Sequence, residues 1–303
     1  MKDVVLGTAM WGWSLQNQLD AWKLLDYFIE KGFSLVDTAI NYPIDGNSEH
    51  MGLALNWLKK WSKANPKQLK LMVKLGSINN AGTPDADLRS EVLINQTQQL
   101  LNDFEESLWG IAVHWDNRNS QSDVDDTIYA LRYISDCGLR IGLSGISHPD
   151  LYYQKVQSFQ APIILQVKEN LFDKHIRAQY TKYFKRTTFW AYGINFGGLS
   201  LTGGKQETFS KRNIQVSDSI RKLLSEVMSS NDLAYLQLKN NYDLSLIEAI
   251  TNPALGGLIL GSRTVDQLKQ SIDRIRRTTD LGGNVYKDIH RIINQVKLLG
   301  CKD

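Results

Sequence analysis

Short runs of β-branched and other apolar residues alternate along the chain with longer stretches in which apolar positions recur every three or four residues. Val4-Val5-Leu6, Ser34-Leu35-Val36, Lys70-Leu71-Met72-Val73, Trp109 to Val113 and Arg140 to Leu143 predict five strands. Ile163 to Val167, Thr187 to Ala191 and Gly257 to Leu260 predict three more. Between them lie amphipathic helices. Met51, Ala54, Leu55 and Leu58 share one face just after an Asn47-Ser48 capping signal, and Gly32 and Gly138 stand where the helices before the second and fifth strands should end. A last pattern, Val285, Ile289, Ile292, Ile293 and Val296, predicts a C-terminal helix packed outside the sheet or across its bottom.

Strand, helix, strand in strict rotation predicts a parallel sheet with helical crossovers. Eight such units close most simply as an α/β fold of the (β/α)8 TIM-barrel type, although an open doubly wound sheet would produce the same alternation. No Pro- or Ser-rich linker, low-complexity tract or further repeat divides the 303 residues, so one barrel domain over 1–303 is expected, with ligands at its C-terminal mouth.

Composition narrows the partners. A net charge of +3, from basic and acidic residues mixed along the chain, gives no field that would favour nucleic acid or an anionic membrane. The run Arg274, Arg276, Arg277 reads as a solvated helix face. Two cysteines, Cys137 and Cys301, cannot build a disulfide framework, and neither a leader-like nor a spanning apolar run occurs, so a cytoplasmic protein, monomeric or a small homo-oligomer, is expected.

In a barrel of this kind the reactive groups stand at the C-terminal ends of the strands. Asp37 follows the second strand, Lys74 the third and His114 the fourth, and Tyr42 lies five residues after Asp37. A free phenol, with a pKa of about 10, is a poor acid at neutral pH, but a nearby ammonium favours phenolate. Lys74 would supply that charge, Asp37 would anchor Lys74, and His114 would orient a substrate oxygen. Singly, each residue has an ordinary structural explanation, as half of a salt bridge, a half-buried aromatic or a satisfied core histidine. Together, at one end of three consecutive strands, they form a proton donor.

Asp37-Thr38-Ala39-Ile40-Asn41-Tyr42, followed by Ser48-Glu49-His50-Met51-Gly52-Leu53-Ala54-Leu55, resembles the signature of the aldo-keto reductase family. Val73-Lys74-Leu75-Gly76 and Val113-His114-Trp115 are similar to that family's lysine and histidine strands. Gly142-Leu143-Ser144-Gly145, Gln166-Val167-Lys168-Glu169-Asn170, Ala191-Tyr192-Gly193 and Gly261-Ser262-Arg263 extend the resemblance over nearly the whole chain. It implies a catalytic tetrad of Tyr42, Asp37, Lys74 and His114. It also implies a cofactor site of Thr8, Ala9, Asp37, Ser144, Gln166, Tyr192, Gly193, Asn195, Gly197, Gly261, Arg263, Gln267, Gln270 and Ser271. Physical reasons run beside it: glycines between Gly193 and Gly204 admit a pyrophosphate, amides at the helix start after Arg263 suit a phosphate, and the Arg263 fork suits a 2′-phosphate. NADPH is therefore favoured over NADH. Three departures from the family stand out: Gly145 replaces a usual Asn, Gly193-Ile194-Asn195 replaces Ser-Pro-Leu, and Ser271 replaces an Asn.

The resemblance implies reduction of an aldehyde or ketone to an alcohol, with Tyr42 as general acid. Trp11, Trp13 and Trp115 are placed either to line the substrate pocket, where indoles would stack on a sugar or other flat face, or to cap the barrel. Two alternatives stay open: a non-catalytic NADPH-binding regulatory protein of the same fold, and a barrel enzyme using Lys74 as a Schiff base. No Gly-x-Gly-x-x-Gly, Walker loop or nucleophile elbow is present, the five histidines lack metal-ligand spacing, and Asp123, Asp125 and Asp126 read as a helix N-terminus.

Overall fold

The computed structural model describes residues 2–13, 17–195, 218–281 and 284–300. Eight strands pair in parallel in sequence order: β1 (Asp3–Gly7), β2 (Leu35–Ala39), β3 (Lys70–Leu75), β4 (Leu108–Asp116), β5 (Arg140–Ile146), β6 (Ile163–Lys168), β7 (Thr187–Tyr192) and β8 (Gly257–Leu260). The last returns to β1, Asp3 to Leu6 facing Gly257 to Leu260, so the sheet is a closed barrel and not an open doubly wound sheet. Each predicted strand is present, most of them a residue or more longer than the sequence pattern marks.

Helices cover the outside of the barrel: α1 (Gln18–Glu30), α2 (Leu53–Ala64), α3 (Ser90–Phe104), α4 (Gln121–Asp136), α5 (Pro149–Val156), α6 (His175–Tyr180), α7 (Asp218–Met228), α8 (Asn241–Thr251), α9 (Val265–Thr279) and α10 (Val285–Gly300). Their ends follow capping chemistry. The side chains of Asn17, Ser120, Asn240 and Thr264 accept from the backbone amides of Asp20, Asp123, Asp243 and Gln267. Gly32 and Gly138, at φ of +85° and +84°, take the left-handed turn just past α1 and α4 that a side chain would oppose. Asp123 lies in the first turn of α4, as the acidic run predicts.

Alternation along each strand sorts side chains between two cores. Val36, Leu71, Val73, Leu75 and Leu143 point outward and pack against Leu24, Leu25, Phe28 and Leu58 of the helices. Val5, Met72, Ala112, Ile164, Trp190 and Ile259 point inward and fill the barrel as a separate apolar cluster. Trp190 fits because Gly257 carries no side chain: a Cβ there would fall 2.5 Å from the indole. Two residues further along those strands stand Gly7, Lys74, His114, Gln166, Tyr192 and Gly261. A plug of hydrocarbon thus supports a polar tier at the C-terminal ends.

The last helix, α10, lies outside the barrel. Val285, Ile289, Ile292 and Ile293 pack with Leu224 and Val227 of α7 and Leu244 and Ile247 of α8.

Two local expectations are corrected. Asn47 caps a short 3-10 turn, Ser48–His50, and not α2. Gly52, at φ +80°, then breaks the helical phase, so Met51 is 41% exposed and the buried face of α2 is Ala54, Trp57, Leu58 and Trp61. The basic run on α9 also divides. Arg276 and Arg277 are exposed, but Arg274 is buried and donates to Asp243 Oδ2 (2.6 Å), the Leu236 carbonyl (2.9 Å) and the Gln237 carbonyl (3.1 Å). A guanidinium satisfied by one carboxylate and two carbonyls is the form in which Arg can be buried.

Removing one member of a buried pair strands the other charge, so Arg274→Ala should destabilise the fold by about 3–5 kcal/mol. Arg277→Ala, on the exposed side of the same helix, should change it by less than about 0.5 kcal/mol. Urea unfolding of both variants measures the difference.

Candidate active site

Four side chains from the ends of β2, β3 and β4 and the loop after β2 meet at the polar tier. Lys74, 2% exposed, forms an ion pair with Asp37 through Oδ2. The other carboxylate oxygen, Oδ1, accepts from Gln166 Nε2 at 2.6 Å. The Lys74 nitrogen lies over the Tyr42 ring, 4.8 Å from its centre. His114 presents its ring edge-on to Tyr42, with centroids 5.7 Å apart.

Burial dominates the electrostatics of this tier. Loss of hydration pushes the Lys74 ammonium below its ordinary range, with Asp37 acting in the opposite direction through contact and charge. His114 is held well below 6.5, first by burial and then by the positive charge of Lys74, so its ring is neutral at physiological pH. The orientation of that ring is fixed from three sides. Tyr42 abuts it, Trp115 stacks on it at 4.3 Å with planes 27° apart, and Nδ1 lies 2.9 Å from the hydroxyl of Ser77.

The tier opens into a cavity of about 550 Å³ that runs from Tyr42, Lys74 and His114 to Arg263, Gln267, Gln270 and Ser271. That volume is of the size that holds a large organic ligand. Ala9, Asp37, Ser144, Gln166, Tyr192, Gly193, Asn195, Gly261 and Trp115 also line it. Thr8 does not. It is buried behind the wall, where its hydroxyl donates to Thr38 Oγ1 (2.8 Å) and its amide to the Asp37 carbonyl (3.0 Å), which fixes the end of β2. Gly197 lies outside the described residues, as does the chain up to Gly204.

Trp11 and Trp13 are also absent from the wall: both are buried, and Trp11 packs in the outer core with Leu24 and Trp57. Of the three indoles, Trp115 alone faces the cavity. The positions that replace the other two are Met10 and Ile44, which spacing alone did not single out because neither residue type carries a chemical signal.

At the far end, one amide before α9 and one in its first turn are already engaged. The Arg263 amide donates to Gln267 Oε1 (2.9 Å) and the Gln267 amide to Thr264 Oγ1 (3.2 Å). Ser271 bonds Tyr242, hydroxyl to hydroxyl, at 2.6 Å, and both line the cavity. Burial raises the Tyr242 phenol to about 12, so it stays neutral. Tyr242 escaped the sequence reading because it precedes the eighth strand, on α8, with no motif around it.

Among the described residues no group of His, Cys, Asp and Glu could hold a metal ion, and no helix is long and apolar enough to cross a membrane.

Comparison with known proteins bears on the fold and the family. The fold is similar to an aldo-keto reductase from Bacillus halodurans, AKR11C1, in its holo form. The TM-score is 0.70 at 16% identity, over 96% of this chain and 91% of that one. It is also similar to the glycerol dehydrogenase AKR11B4 from Gluconobacter oxydans, with a TM-score of 0.71 at 16% identity over 97% of this chain and 90% of that one. No curated protein sequence matches significantly. The sequence description of the Aldo/keto reductase family matches residues 3–292, nearly the full length, and the chain belongs to that family.

Proposed function

We propose that this chain is an NADPH-dependent reductase of aldehydes or ketones, with Tyr42 as the general acid. One observation carries the reading: a buried amine, held by Asp37, stands 4.8 Å from the Tyr42 ring at the closed end of a cavity whose open end carries Arg263. The cavity suits an extended dinucleotide. Tyr192 offers a ring at the reactive end, Ser144 and Gln166 offer polar contacts beside it, and Gly261 leaves the wall open where a side chain would intrude. Arg263 presents a bidentate donor suited to the 2′-phosphate that distinguishes NADPH.

When bound, the nicotinamide supplies hydride to the carbonyl carbon. The chain does the rest. Tyr42 delivers a proton to the carbonyl oxygen, and the phenolate left behind faces the Lys74 ammonium. Asp37 and Gln166 hold that ammonium in place. His114, neutral, hydrogen-bonds the same oxygen and orients it.

Among the described lining residues the charged ones are Asp37, Lys74 and Arg263. Near Tyr42 the wall is Met10, Ile44 and Trp115. An uncharged carbonyl compound suits it, and the indole offers a face on which a sugar or sugar derivative would stack. We take residues 1–303 as one functional unit acting in the cytoplasm.

Tyr42→Phe should lower kcat by about 10²- to 10⁴-fold while leaving NADPH affinity, read by fluorescence quenching, nearly unchanged. A variant that keeps full turnover would remove Tyr42 from the reaction. Arg263→Ala should weaken NADPH by about 10- to 100-fold and NADH far less, the loss of charge-assisted bonds to one phosphate. The pH profile of kcat/KM should fall on the alkaline side as Lys74 loses its proton. Because burial lowers that group, the limb should lie below pH 10.5. No acid limb should appear near 6.5, since His114 is already neutral there.

A further inference from the structure

Ser77 lies in the loop after β3, three residues past Lys74, and is 2% exposed. Its backbone is fixed by a bridge to Ala86 and by bonds from Ile78 N to the Asp85 carbonyl (3.1 Å) and from Asp87 N to the Gly76 carbonyl (2.8 Å). The side chain has one hydrogen-bond partner among the described residues, Nδ1 of His114 at 2.9 Å.

That contact can be made in two ways. Either the hydroxyl donates to a bare Nδ1, or a protonated Nδ1 donates to the hydroxyl oxygen. In the second arrangement the hydroxyl hydrogen has no acceptor within reach, and a buried O–H without an acceptor is strongly disfavoured. In the first, every polar hydrogen is used.

We infer that Ser77 is a positioning residue for His114, donating to Nδ1 and leaving the ring proton on Nε2, the edge turned to the cavity. The inference rests on the reading of Tyr42 and His114 as the groups that meet the carbonyl oxygen. With Nε2–H toward the cavity, His114 donates a hydrogen bond to that oxygen. With the proton on Nδ1, a nitrogen lone pair would face an oxygen lone pair, and the substrate would be turned away from Tyr42. Lys74, beside the ring, disfavours the doubly protonated form that would make the question moot. Trp115 and Tyr42 hold the ring plane, so the tautomer is the one variable left to Ser77.

Long-range proton–nitrogen NMR of protein labelled with 15N-histidine reads the tautomer directly, in the absence of substrate. Wild type should show His114 protonated on Nε2 and bare on Nδ1. Ser77→Ala should populate both tautomers and lower kcat/KM by about 10- to 100-fold, the size usual when the outer partner of a functional imidazole is removed, with NADPH affinity unchanged. Ser77→Thr, which keeps the hydroxyl, should restore both readouts. A wild-type proton on Nδ1, or an Ser77→Ala variant with the wild-type tautomer and turnover, overturns the inference. Should Ser77→Ala fail to fold, the wild-type spectrum alone decides. Absence of carbonyl reduction by wild type would sink the proposed function and not the tautomer assignment, which the spectrum tests separately.

Discussion

The contact between Lys74 and Asp37 inside the barrel mouth constrains the rest of the site. Both groups are almost wholly removed from water, and each would be strongly destabilised if left alone. They are tolerable because both carboxylate oxygens are engaged: Lys74 donates to one and Gln166 to the other. The hydrocarbon plug below, Met72, Ala112, Ile164 and Trp190, keeps water out from beneath. Poor screening then lets the amine act at a distance. It lies within 5 Å of the Tyr42 ring and is one of the two causes that keep His114 neutral. One buried cation therefore lies beside both groups proposed to meet the substrate oxygen, and adds to burial in keeping His114 neutral.

The barrel was legible because strand alternation does two jobs with one period. The residues two positions before Lys74, His114, Gln166 and Tyr192 are Met72, Ala112, Ile164 and Trp190, so an apolar tier and a polar tier appear in the sequence as paired positions. Asp37, Lys74 and His114 could be located from that alternation alone. Trp11, Trp13 and Arg274 could not. Spacing says how far a residue lies from a strand end, but in a loop it does not say which way the side chain turns, and Trp11 turns into the outer core. For Arg274 the missing information was Asp243 and two carbonyls on another element, a tertiary arrangement that no local charge pattern encodes.

The cavity joins two unlike ends. Its closed end is buried, electrostatically tight and walled by Met10, Ile44 and Trp115, while its far end is polar and carries Arg263, Gln267 and Gln270. Under the proposed function the closed end serves chemistry, where little water reaches Tyr42 and His114, and the far end serves affinity, where a charged group would be anchored without disturbing the pair at Asp37. At the start of α9 the amides of Arg263 and Gln267 are engaged inside the protein, by Gln267 Oε1 and Thr264 Oγ1.

The departure at Gly145 follows from Trp115. Gly145 sits at φ +71°, and a Cβ built on it would fall 2.3 Å from Cδ1 of the indole. Trp115 itself takes φ +60°, a left-handed backbone that costs on the order of 1–3 kcal/mol for a residue of this size. The two positions are therefore one structural choice: an indole stacked on His114 requires that nothing project from residue 145, and Asn there would displace it. The polar contact that Asn would have offered is lost, while Gln166 gives one Nε2 hydrogen to Asp37 and keeps its second N–H and its carbonyl oxygen. What the site gains is a flat apolar wall next to Tyr42 and His114, bought with one hydrogen-bonding group and a strained backbone.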